Sequence, residues 1–128
     1  MIYDINTNRW MDTFENSENS TSSVISLAFS ENGRYLLSCS SDRFIRLWDI
    51  ENNWTMLSQR QLVHANSLTF SPNNTSFIAR RDNSFFVINI RNGQIIQDIS
   101  GSGIREVFYN RNSELVIVGI NNQSVQIW

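Results

Sequence analysis

The sequence predicts an all-β chain built from repeated four-stranded units, and three observations carry that expectation. Short apolar runs alternate with polar turns along the chain, the pattern of half-buried strands. No stretch of ten or more residues shows apolar positions at helical spacing. The chain also repeats. SDRFIRLW at Ser41–Trp48 aligns with RDNSFFVI at Arg81–Ile88 and NNQSVQIW at Asn121–Trp128, so Asp42, Asp82 and Asn122 stand 40 residues apart. Ile45, Phe85 and Val125 correspond at the same offset, as do Leu47, Val87 and Ile127.

The clearest unit is VISLAFSENGRYLLSCSSDRFIRLWDI, Val24 to Ile50. Val24, Leu27 and Phe29 lead into Ser30-Glu31-Asn32-Gly33, a turn whose glycine takes positive φ at little steric cost. Tyr35, Leu36 and Leu37 form a second strand, Ser40-Ser41-Asp42-Arg43 a second turn, and Phe44–Asp49 a third strand. In that third strand Ile45, Leu47 and Asp49 share one face, and Phe44, Arg46 and Trp48 the other. The run Asp42, Ile45, Leu47, Trp48, Asp49 resembles the ending of a WD40 repeat: an Asp, two variable residues, then apolar-x-apolar-Trp-Asp.

The resemblance implies WD40-type β-propeller blades, about three of them and four-stranded, in an incomplete or open ring. It also implies that each sequence repeat begins with the outer strand of one blade and continues with three strands of the next. On that basis the first repeat (roughly 9–50) is Arg9–Phe14, Val24–Phe29, Tyr35–Cys39 and Phe44–Asp49. The second (54–90) is Thr55–Gln61, Ser67–Phe70, Ser76–Ala79 and Phe85–Ile90. The third (94–128) is Gln94–Asp98, Arg105–Tyr109, Leu115–Val118 and Ser124–Trp128, and it ends without an outer strand. Residues 1–8 are the tail of a preceding blade, with Ile2–Ile5 as a strand. Asn73-Asn74, Asn92-Gly93 and Arg111–Ser113 read as turns, and Pro72, the one proline, presets a turn without interrupting a strand ladder. The whole chain, 1–128, reads as a single repeat region.

WD40 blades often carry a hydrogen-bonded set: a His before the innermost strand, a Ser or Thr on the second, an Asp in the turn, and the Trp. Here the corresponding residues are Asp42, Trp48, Asp49, Asp82 and Trp128, with Ser38 or Ser40 on the second strand and His64 in the second repeat. No repeat has the whole set. Ile88 and Asn89 replace Trp-Asp in the second, and Asn122 replaces Asp in the third. Packing between blades must therefore carry more of the stability, at about 25 cal/mol per Å² of apolar surface buried.

Composition narrows the function. At 128 residues the chain can bury roughly two thirds of its unfolded surface as one domain. No apolar run approaches the ~20 residues of a membrane-crossing helix, and MIYDINTNRW is not a secretory leader. A net charge of −2 gives no electrostatic case for nucleic acid. All ten basic residues are arginine, so no side-chain amine exists for Schiff-base chemistry. The single cysteine, Cys39, has no partner for an internal disulfide, which suits an intracellular setting, cytoplasmic or nuclear. His64 is the only histidine and no Gly-x-Ser-x-Gly elbow is present, so neither a nucleophile triad nor a metal site assembles, and no cofactor is expected.

Binding is what remains. In the WD40 family one rim carries the loops between second and third strands, here Ser40–Arg43, Arg80–Asn83 and Ile120–Gln123. Arg43, Arg80 and Arg81 fall there, with Arg105 at the base of the next innermost strand. Guanidinium forks suit carboxylates and phosphates, so the expected ligand is an acidic or phosphorylated peptide of a protein partner. Trp54, after Glu51-Asn52-Asn53, is a candidate anchor on the opposite rim. The expected function is a non-catalytic protein–protein interaction scaffold. The alternative is a remnant of a larger propeller with no independent activity. Head-to-tail self-association, or the remainder of a larger propeller, would cover the ends of the array.

Overall fold

The computed structural model of the chain describes residues 2–11, 22–61, 64–121 and 124–127. These residues form thirteen strands and no helix. They are β1 (Ile2–Asp4), β2 (Arg9–Met11), β3 (Val24–Phe29), β4 (Tyr35–Ser40), β5 (Phe44–Asp49), β6 (Thr55–Gln61), β7 (Ser67–Phe70), β8 (Ser76–Arg81), β9 (Ser84–Asn89), β10 (Ile95–Ser100), β11 (Ile104–Tyr109), β12 (Leu115–Asn121) and β13 (Ser124–Ile127).

All pairing is antiparallel. Sheet I is β3-β4-β5-β6, sheet II is β7-β8-β9-β10, sheet III is β11-β12-β13, and β1 pairs with β2 alone. The expectation of about three four-stranded blades therefore resolves into two four-stranded sheets, one three-stranded sheet and a hairpin, without a closed ring. The outer strand expected over Arg9–Phe14 is seen as β2 over Arg9–Met11; Asp12–Phe14 lie outside the described residues.

One turn geometry recurs before the second strand of every sheet. In Ser30–Gly33, Ser30 Oγ donates to Asn32 Oδ1 at 2.7 Å and accepts the Tyr35 amide at 2.8 Å. In Ser71–Asn74, Ser71 Oγ donates to Asn73 Oδ1 at 2.8 Å and accepts the Ser76 amide at 3.0 Å. In Asn110–Ser113 the Asn110 carboxamide oxygen accepts the amides of Asn112 and Glu114. The fourth residue has positive φ each time, at Gly33 (72°), Asn74 (57°) and Ser113 (64°). Short side chains that bond their own backbone make these turns local decisions of the sequence.

Sheet II is buried on both faces. Phe77, Ala79 and Ile88 point toward sheet I, where they meet Leu37, Cys39, Ile45 and Leu47. Ile78, Phe85 and Val87 point the other way and meet Val107 of sheet III, with Tyr109, Leu115 and Ile117 against them. Period-two alternation thus gives one sheet two apolar faces, which stacking demands. Polar bonds pin the stack: Cys39 Sγ donates to the Ala65 carbonyl at 3.2 Å, and the Ser76 and Tyr109 hydroxyls meet at 2.8 Å. The outward face of sheet I is partly open, with Leu27, Phe29 and Met56 48%, 57% and 45% exposed.

Candidate functional site

Antiparallel order gathers the strand ends into two rims. One holds the β4–β5 turn (Ser41–Arg43), the β8–β9 turn (Asp82–Asn83) and the starts of β3, β7 and β11. The other holds Ser30–Arg34, Ile50–Trp54, Ser71–Thr75, Ile90–Gln94 and Asn110–Glu114.

The first rim is built around Asp42. Its carboxylate accepts the Phe44 amide at 3.0 Å and the Arg46 guanidinium at 2.7 Å, and Ser22 Oγ donates to it at 3.5 Å. Arg46, with its side chain 8% exposed, holds Asp42 below the usual carboxylate range, helped by the Phe44 amide and opposed by partial burial. Ser22, two residues before β3, thus reaches Asp42 from the position where the family's His stands. Trp48 Nε1 donates to Ser38 Oγ at 3.0 Å, both buried, which selects Ser38 over Ser40. In sheet II the same corner is made by Asn66, whose Nδ2 donates to Asp82 Oδ1 at 3.4 Å; His64 is exposed at φ 30°. Phe86 stands where Arg46 stood, so Asp82 lacks that buried counter-charge.

At the opposite rim, Asp49 Oδ1 caps the Asn52 amide while Oδ2 accepts Arg34 at 3.0 Å. Arg34 is the chief cause that lowers the Asp49 pKa. Asn89, 40 residues on, repeats the capping by accepting the amides of Arg91 and Asn92. Replacing Asp by Asn here keeps the turn and drops only the ion pair. Trp54 lies on this rim, half-buried, at φ 57° beside Asn53 at 52°. Left-handed φ at a bulky residue is strained by about 1–2 kcal/mol.

The arginines differ in their surroundings. Arg80 Nη1 bonds Glu106 of sheet III at 3.2 Å, its Nε donates to the Asp82 carbonyl, and its guanidinium lies over Phe85. It is an inter-sheet tie. Arg81, its neighbour on β8, lies over Phe86 at 5.9 Å. Arg43 (φ 70°) and Arg105 are exposed on the turn of sheet I and at the start of β11. The structure brings Arg80 and Glu106 together, sets Arg81 on the opposite face of sheet II over Phe86, keeps Arg43 on the same rim, and separates Trp54 from them all. Trp128 and Asn122 lie outside the described residues. Sequence reasoning missed Ser22, Asn66 and Arg46. Arg46 was detectable, since it is on the strand leaving the Asp42 turn; the other two are common polar residues in an Asn- and Ser-rich chain. Among the described residues no three His, Cys, Asp or Glu side chains converge as a metal site, and no helix is long and apolar enough to cross a membrane.

Residues 11–49 match the family described as WD domain, G-beta repeat. Over those residues the chain is similar to a WD40 repeat. The matched span runs from Met11, the last residue of β2, to the end of β5. Its Trp-Asp ending, Trp48-Asp49, closes the third strand of sheet I. WD40 repeats generally serve as protein-interaction scaffolds. None of the curated proteins compared with the chain matches it.

Proposed function

We propose that this chain is a non-catalytic protein-interaction scaffold that engages acidic segments of partner proteins through the Arg43, Arg81 and Arg105 rim. The observation that carries this reading is how the polar groups are used. Asp42, Asp49, Asp82, Ser38 and Asn89 are each committed to a turn, an ion pair or a strand-to-strand bond. Asp82 and Glu106 also face solvent on the motif rim, but Arg43, Arg81 and Arg105 are the cations there with no ion-pair partner among the described residues, and their forks suit carboxylate or phosphate. Arg80 stands apart, because its guanidinium is already taken by Glu106.

The test uses the full chain with all three rim arginines changed to alanine. Retention of an Asp/Glu-rich peptide should fall at least about tenfold, and binding to the unaltered chain should weaken with salt. Equal retention by both proteins contradicts the rim.

A second reading, compatible with the first, is self-association. Leu27, Phe29 and Met56 are exposed on the outward face of sheet I, and Phe108 is 42% exposed on β11. Among the described residues no strand pairs with the free edge of β13. A second copy packed head to tail would extend the I–II and II–III contacts to these faces.

A further inference from the structure

Sheet II carries a cleft on the side that faces sheet I. It is lined by Ala65, Ala79, Phe86, Ile88 and Ile95, with Arg80 and Arg81 on its wall. Its free volume is ≈ 70 Å³, several times the ~10–15 Å³ that admits one water. That is room for one branched side chain and far less than a small-molecule site needs. The lining is apolar apart from the arginines, so water finds few bonding partners in it. Ile95 is 50% exposed, which leaves the cleft accessible along its outer wall.

Charge decides what enters. Arg81 has no ion-pair partner among the described residues, and its guanidinium lies over the Phe86 ring that floors the cleft. The rim carboxylate next to it in the chain, Asp82, accepts a hydrogen bond from Asn66. Arg80, although adjacent, aims at Glu106 on the other face of the sheet. A lone, partly buried cation beside an apolar cavity is complementary to an apolar side chain followed by a carboxylate.

From this geometry we infer that the cleft is a docking site for a partner segment carrying a Leu- or Ile-type residue directly followed by Glu or Asp. The apolar side chain fills the space over Ala65, Ala79 and Ile88, and the acidic side chain pairs with Arg81. An internal acidic side chain is the match, since Arg80 is already paired with Glu106 and Arg81 alone is left to take one carboxylate. This site rests on the proposed scaffold role and adds to the rim a selectivity that charge alone does not give.

The test is fluorescence anisotropy of the full chain with labelled peptides containing one Leu-Glu pair in a Gly/Ser background and an amidated C-terminus. Companion peptides carry Ala-Glu, Leu-Gln, or Leu with a free C-terminal carboxylate. Binding of the Leu-Glu peptide should fall about tenfold with Arg81→Gln, with Ile95→Asp, and with either change in the peptide, while Arg111→Ala on the far rim has no effect. Ile95 is exposed, so Ile95→Asp keeps the test decisive if Arg81→Gln unfolds the protein. Equal binding of the Leu-Glu and Ala-Glu peptides, lost only when the rim arginines are removed, overturns the cleft and leaves the rim reading standing. No binding at millimolar peptide overturns the cleft outright, as does preference for the free C-terminal carboxylate.

Discussion

Asp42 shows how much one side chain does at the motif rim. It closes the β4–β5 turn through the Phe44 amide, neutralises Arg46 and receives Ser22 from the entry to β3. Asp42→Asn keeps an oxygen for the amide but leaves the nearly buried Arg46 without its counter-charge. The expected cost is about 2 kcal/mol at neutral pH, below the value for a fully buried pair because Asp42 still touches water. The pH dependence follows from the direction of the shift. The folded-state pKa of Asp42 lies below its ordinary 3.8, so the stability it adds is complete above that value and vanishes as pH falls through the lowered pKa. Denaturant melts should show the gap between the native chain and Asp42→Asn unchanged from pH 8 to 5 and closing below about pH 4. A gap that closes above pH 5 contradicts this assignment. At this scale the sequence was partly legible. Asp42, Trp48 and Asp49 stand out because spacing marks them. Ser22 and Asn66 do not, since any short polar side chain near the strand entry can reach the turn.

Among the elements, sheet II is the one on which the others depend. Its strands were readable from the 40-residue repeat, and Ser67–Phe70 forms as the sequence indicated, as does Thr55–Gln61 at the edge of sheet I. Which residues face which neighbour was not readable, because Phe77, Ile78, Ala79, Phe85, Phe86, Val87 and Ile88 make near-continuous apolar runs. Register settles it: Phe77 pairs with Ile88 on the sheet I side and Ile78 with Val87 on the sheet III side. The cleft beside Arg81 was invisible for the same reason, as it is a shortfall in packing and not a motif. Phe85, 1% exposed and facing sheet III, is the most deeply buried residue of that cluster. Phe85→Ala should destabilise the chain by about 3–5 kcal/mol and lower the denaturation midpoint accordingly. Loss of less than 1 kcal/mol would mean that sheets II and III do not pack as described.

The whole molecule is a stack of sheets with apolar surface at its ends. The similarity of residues 11–49 to a WD40 repeat bears on sheet I, and the stacking of I on II on III gives the direction in which further sheets would add. On the proposed reading, function at this scale is contact, through the arginine forks of the rim and the exposed Leu27, Phe29, Met56 and Phe108 of the end faces. The measurement that tests this most directly is the absolute mass of the purified chain in solution, by light scattering on a sizing column. The account expects a sharp species at twice the 14.9 kDa of one chain, with Phe29→Asp shifting it toward half that mass. A monomer at 14.9 kDa that unfolds in one sharp transition, unchanged by Phe29→Asp, would contradict it, because the end faces would then need no partner.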